Sequence, residues 1–297
     1  MLNNLQKKTV WRWANDQSMF GGKLVSLGKI FDIGDSLKNA KRGKSLAIIA
    51  PSHLMRTISK QQPYCDLMAS PNIDKMVVNK GMRLPHSNLA QFYLPLAVHG
   101  PTNALNQDPT YVEWVKNFKG LVMHGMFVKD STNPYTLASP REVKDIIQKC
   151  PNTEFIVWRH HWGDYIRQGT MSARMCEFPH YKEWTPAKIP WAHCGAISGF
   201  AIPLAMAMGY SKIYLVCMGY NKVLNSCIDP PNTPILSQLT TKRRGLWTGV
   251  ASVRFKNQSK LASTNGVIIK VGPQKVIEPI LLQYYRAFDK LEDIING

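Results

Sequence analysis

Carboxylates are what this sequence is short of. It carries 19 Asp and Glu against 37 Lys and Arg, a formal net charge of +18 over 297 residues. Such an excess speaks of partners and solubility, not of fold. It leaves open nucleic acid, an anionic membrane surface, or an ordinary basic enzyme. No Asp-x-Asp pair occurs, so no divalent metal clamped by neighbouring acids is expected, and no metal site is assigned. The cysteines Cys65, Cys150, Cys176, Cys194, Cys217 and Cys227 form no Cys-x-x-Cys pair. That argues against a disulfide scaffold and a zinc site, and leaves them as small core residues in a reducing cytoplasm. Neither the Gly-x-Gly-x-x-Gly fingerprint nor a Walker-type phosphate loop is present, which removes support from dinucleotide oxidoreductases and P-loop NTPases. Long apolar runs are missing too. Ala196–Met208 is interrupted by Gly199 and Pro203 and falls short of the about 18–20 residues a membrane span needs. The charged N-terminus has no apolar stretch behind it, so no signal peptide is expected.

What the chain does contain is alternating strand-like and helix-like segments. Ser45–Ala50 is a short apolar run followed by turn residues, the pattern of a buried parallel strand. Lys75–Asn79, Leu121–Val128, Glu154–Trp158, Lys212–Met218 and Gly266–Val271 read as further strands. Ser139 and Pro140 open a helix that runs to about Cys150, with cap and proline in the favoured order. His193–Gly209 is a helix rich in small residues that Gly209 closes. Residues 276–295 read as one amphipathic closing helix, with Ile277, Ile280, Leu281, Tyr284, Phe288 and Leu291 spaced for a single face. Alternation of this kind argues for a parallel sheet with helices on both faces. Residues 160–192 are irregular, with Pro179, Pro186, Pro190 and several aromatics, and read as a lid or acceptor-binding insertion.

Open parallel sheets take their ligands beyond the carboxyl ends of the strands. Here those ends are Ala50, Pro51, Ser52 and His53; Asn79, Lys80 and Gly81; the run Arg159-His160-His161; and Gly219, Tyr220 and Asn221. The turn containing His193, Cys194, Gly195, Ser198 and Gly199 adds further small and polar groups. Small residues let backbone amides approach an anion, which suits a nucleotide phosphate, although glycine and serine are also ordinary turn chemistry.

His193–Asn221 resembles the helix–strand signature of bacterial sialyltransferases, glycosyltransferase family 42, and of the related Maf-type flagellin glycosyltransferases. Ser198, Gly199, Ala205 or Ala207, Gly209, Ile213, Tyr214 and Leu215 carry the match. Leu46–Ser52 is similar to the family's opening strand and loop, Val78-Asn79 to its second strand end, and Leu261–Pro273 to its last Gly-turn and strand. The resemblance, over roughly 45–275, implies a Rossmann-like α/β domain, a GT-A-like variant, taken here as 45–297; the many lysines and arginines of 1–44 read as a basic extension before it. It implies transfer from a nucleotide sugar, which serves as co-substrate with no further cofactor; with no Asp-x-Asp pair, a metal-independent transfer or a metal site built from separated acids remains. Ala50-Pro51-Ser52-His53 stands where the family has a Gly-Asn-Gly loop, and Met218-Gly219-Tyr220 where it has an acid. A sialic-acid donor is therefore not carried over.

Such a transfer needs a base for the acceptor hydroxyl and a stabiliser for the leaving phosphate. The family's histidine in a C-terminal lid has no counterpart, because no histidine follows His193. The candidates are His160, His161, Asp164 and His193, with Asp229 behind them. Each has a plainer reading: His193 as a helix cap, Asp164 as a surface partner of Arg167. For nucleic acid the candidates are Arg12 between Trp11 and Trp13, then Lys242, Arg243, Arg244, Arg254 and Lys256, alongside Trp247 and Lys260. A solvated helix face is the alternative for the later cluster. The favoured acceptor is a hydroxymethylated base of double-stranded DNA, such as phage DNA, since an acidic polymer accounts for the charge. A lipopolysaccharide or capsule glycosyltransferase at an anionic membrane is one alternative, and a non-catalytic nucleic-acid-binding protein is the other.

Overall fold

The computed structural model describes residues 30–31, 40–52, 54–95, 109–127, 140–160, 197, 201–218, 255–256, 258–260, 262–274 and 279–297. Its centre is one sheet of nine strands: β1 Ile30–Phe31, β2 Ser45–Ile49, β3 Asp74–Val78, β4 Phe92–Leu94, β5 Leu121–Phe127, β6 Glu154–His160, β7 Lys212–Val216, β8 Ile268–Gly272 and β9 Arg286–Ala287. Every pairing is parallel. The order is β1-β6-β5-β4-β3-β2-β7-β8-β9. From β2 the chain steps outward strand by strand to β6, then returns to β2's other side as β7. The order therefore reverses between β2 and β7.

Helices follow from the same sequence. They are α1 Met55–Ile58, α2 Gln62–Ala69, α3 Pro109–Asn117, α4 Pro140–Lys149, α5 Ile202–Ala207, α6 Pro279–Leu282 and α7 Glu292–Ile295. The central strands are apolar on both sides because both sides are covered. Leu46 and Ile48 of β2 join Met76, Phe92, Ile213 and Leu215 in one buried cluster with α5, α6 and the helical residues Phe255 and Ala262. Ala47 and Ile49 face the other way, with Val77, Tyr93, Val122 and Val216, under α1, α2, α3, α4 and α7. The result is an α/β fold with a parallel sheet flanked by helices, of generic Rossmann-like architecture. Among the described residues no helix is long and apolar enough to cross a membrane.

Parts of the basic segment 1–44 belong to this sheet. Ile30 and Phe31 pair with Phe155 and Ile156 as an edge strand. Lys41 N donates to Met208 O at 2.8 Å, and Gly43 N to Gly209 O at 3.1 Å. Lys41 Nζ reaches Asp74 at 3.0 Å, and Tyr210 Oη donates to the same carboxylate at 2.6 Å. This cluster lies at the amino-terminal end of β3.

The single closing helix expected over 276–295 is not formed. The chain makes the short α6, crosses the sheet edge as β9, and ends in the short α7. Leu281 and Tyr285 pack on one side of the sheet, whereas Phe288, Leu291 and Ile294 pack on the other. Apolar spacing that looked like one helical face serves two faces of a sheet. Likewise the expected last strand, Gly266–Val271, is β8 and is followed by β9, and β6 runs beyond Trp158 through His160.

Candidate functional site

A reversal of strand order leaves a crevice, because the connections from the two flanking strands depart to opposite faces. Here the reversal falls at β2 and β7, so the position for such a crevice is past their carboxyl ends. Ala50 N donates to Val216 O at 3.2 Å, extending the ladder one residue beyond the strands. Ser52 Oγ then donates to Cys217 O at 2.6 Å and ties the two exits together. Cys217 N donates in turn to Gly272 O at 2.8 Å, so three neighbouring strand ends are joined through Cys217. Cys217 has φ 52 and Asn79 has φ 50. Both neighbours of β2 therefore end in a left-handed residue, a conformation that costs a non-glycine residue about 1 kcal/mol.

The turn after β3 closes over β2. Residues Asn79–Arg83 form a 3-10 helix in which Gly81 and Met82 are buried while Lys80 and Arg83 are exposed. A Cβ on Gly81 would stand 2.8 Å from Val77 Cγ1 and 3.7 Å from Ile49 O. Packing on the ends of β3 and β2 therefore calls for a glycine here. Leu84 N donates to Gly81 O at 2.9 Å, and Tyr64 Oη of α2 to Pro85 O at 3.1 Å. Ser87 Oγ donates to Met82 O at 2.5 Å.

Of the residues expected at the site, Ala50, Pro51, Ser52, Asn79, Lys80 and Gly81 are brought together on two adjacent strand ends. Ala50 is buried, Pro51 and Ser52 are half-buried. His160 is the last residue of β6, opposite Phe127. The strands β5, β4 and β3 stand between β6 and β2; at about 4.8 Å per strand its backbone lies roughly 19 Å from the crevice. Lys256 is exposed beside the buried Phe255. His53, His161, Asp164, His193, Cys194, Gly195, Ser198, Gly199, Tyr220, Asn221 and Asp229 lie outside the described residues, as do Arg12, Lys242, Arg243, Arg244, Trp247 and Arg254. Sequence reasoning missed Arg83 and the left-handed Cys217. Arg83 had a signal, the lack of any acid between Lys75 and Gln107. Cys217 had none.

Lys75 is buried near the amino-terminal ends of the central strands, opposite the crevice position, and its Nζ donates to Ser70 O at 2.6 Å. Loss of hydration lowers its pKa, and the charge of Asp74 partly offsets this. It is a structural group, since it starts β3 instead of ending it. Among the described residues no group of three or more His, Cys, Asp or Glu is placed to hold a metal ion.

The fold is thus an open parallel α/β sheet whose strand order reverses between β2 and β7. Neither the family models, nor the curated proteins, nor the solved structures contain a match to this chain.

Proposed function

We propose that the chain is a glycosyltransferase that takes a sugar from a nucleotide-sugar donor held across the crevice between β2 and β7. One observation carries the reading. The segments resembling the sialyltransferase-type family, Leu46–Ser52, Val78-Asn79 and Ile213–Leu215, are far apart in sequence but are the adjacent strands β2, β3 and β7. Their carboxyl ends converge on the site where such a sheet takes a nucleotide.

In this reading the turns after β2 and β3 hold the donor's phosphate side. His193, Ser198 and Gly199 belong to the segment preceding α5 and are the candidates for the reacting side. His160 ends β6, with three strands between it and β2, so it and the next residue in sequence, His161, suit an acceptor-side role better than contact with the donor phosphate. The favoured acceptor is a hydroxymethylated base in duplex DNA. Support for it is the +18 charge, since each neutralised phosphate releases counterions.

The test is release of free nucleotide from a panel of UDP-, GDP- and CMP-sugars, with and without hydroxymethylated duplex DNA. Sugar transfer that requires the modified duplex supports the full reading. Turnover that ignores DNA removes the DNA acceptor and favours a glycan acceptor. Tight, salt-sensitive DNA binding without turnover of any donor refutes the enzyme reading and leaves a nucleic-acid-binding protein.

A further inference from the structure

We propose that the outward face of the helical residues between 255 and 264, which carries Lys256 and Lys260, docks the phosphate backbone of duplex DNA. The proposal rests on the DNA-acceptor reading and adds to it the surface on which the duplex lies.

The first argument is which side of this element the core takes. Phe255, Gln258 and Ala262 are buried. Phe255 stands edge-on to Tyr285 at 5.8 Å, Tyr285 Oη donates to Gln258 Oε1 at 2.9 Å, and Ser259 Oγ donates to Tyr284 O at 2.8 Å. Lys256, Lys260, Ser263 and Thr264 are exposed on the other side, where residues four apart share a face. The helix is held to the sheet without help from either lysine.

Charge is the second. No acid occurs between Asp229 and Glu278, a stretch that also carries Lys242, Arg243, Arg244 and Arg254. Among the described residues Lys41 and Lys116 are paired with Asp74 and Glu113, whereas the side chains of Lys256 and Lys260 enter no ion pair or hydrogen bond. Cations with no local acid draw a partner of the opposite sign.

Spacing and place are the third. Four residues advance a helix by about 6 Å, and the phosphates of one DNA strand repeat every 3.4 Å or so along the duplex axis. The two ammonium groups thus suit separate phosphates of one strand and need not converge on a single anion, which selects a polymer over a small ligand. The element leads directly into β8, and β8 is the neighbour of β7. A duplex laid on this face lies one strand from the position proposed for the donor.

The experiment is anisotropy titration of a labelled, unmodified duplex with the full-length chain at a series of salt concentrations. Each phosphate contact contributes about 0.9 to the slope of log K against log salt, so K256A/K260A should lower the slope by about 2. At 0.1 M salt its affinity should fall at least about 10-fold, whatever the duplex sequence. K256R/K260R keeps both charges and should keep the slope. K44A/K119A removes two exposed cations that precede β2 and β5 and should leave it unchanged. An unchanged slope in K256A/K260A overturns the dock, as does an equal loss in K44A/K119A, which would make the attraction one of net charge alone. Loss of the slope in K256R/K260R also overturns it, since packing rather than charge would then be at work. Weakened binding to phosphatidylserine vesicles, with DNA affinity intact, overturns it in favour of a membrane surface. Donor turnover is measured separately: turnover that persists while the dock fails leaves the donor reading standing, and a lowered slope without turnover of any donor leaves the dock standing.

Discussion

Replacing Ser52 by alanine removes a single hydroxyl, and its structural role makes two distinguishable outcomes available. The hydroxyl proton is committed to Cys217 O at 2.6 Å, so it is not available to a ligand. Its net worth is that of one partly buried neutral hydrogen bond, about 1 kcal/mol. For a chain of this size, with a urea slope of about 3 kcal/mol/M, S52A lowers the unfolding midpoint by about 0.3 M. Ser52→Thr keeps the hydroxyl and should recover most of that loss. Nucleotide affinity in S52A should fall only a few-fold, through loosening of the β2 and β7 exits. Chemical denaturation followed by tryptophan fluorescence gives the first quantity, and calorimetric titration gives the second. An unchanged midpoint together with abolished nucleotide binding refutes the reasoning, because it makes Ser52 a direct ligand contact rather than a tie between strands.

Other consequences are equally open to measurement. Gly272→Ala places a Cβ 2.6 Å from the ring and carbonyl of Phe288, and should cost about 1–3 kcal/mol by overpacking, read as a lower melting temperature. Asp74→Ala strands Lys41 and the buried Tyr210 hydroxyl, and should cost about 3 kcal/mol, against about 1 kcal/mol for Tyr210→Phe. Burial raises the pKa of Tyr93, Tyr111, Tyr210 and Tyr214 and pushes the Cys150 thiol up to about 11. Groups with raised folded pKa contribute stability that is whole below their unfolded values and is lost as pH rises. Stability should therefore decline from about pH 9 upward and steepen above about pH 10, by as much as about 1.4 kcal/mol per pH unit for each tyrosine. Urea midpoints between pH 8 and 11 test this, and a flat profile refutes it.

The central strands were legible because their side chains are apolar on both faces, and a run such as Leu46–Ile49 has few other uses. The small strands were not. β4 has Phe92–Leu94 to show, and β1 and β9 are two residues each, too short for any period to declare itself. The crevice was half legible. Ala50–Ser52 and Asn79–Gly81 follow readable strands, but their adjacency depends on strand order, which composition does not encode. His160 looked like a neighbour of the site for the same reason, and sheet order places its backbone far from β2. Gly81 is also called for by packing, since a Cβ there would press on Val77.

The closing segment offers the sharpest discrimination between sequence pattern and structure. Tyr284 and Phe288 are four apart, so in the continuous helix that the spacing suggests they would touch and couple. In the sheet they do not meet. The Tyr284 ring lies 6.3 Å from Phe255, and the Phe288 ring lies 6.0 Å from Tyr214, with the strand Arg286–Ala287 between them. A double-mutant cycle of Y284A and F288A should therefore be additive within about 0.5 kcal/mol. Phe288→Ala should be the costlier single change, about 3–5 kcal/mol for a buried aromatic, because Tyr284 is only half-buried. Coupling above about 1 kcal/mol would mean that the two rings share a helical face, and would remove β9 from the edge of the sheet.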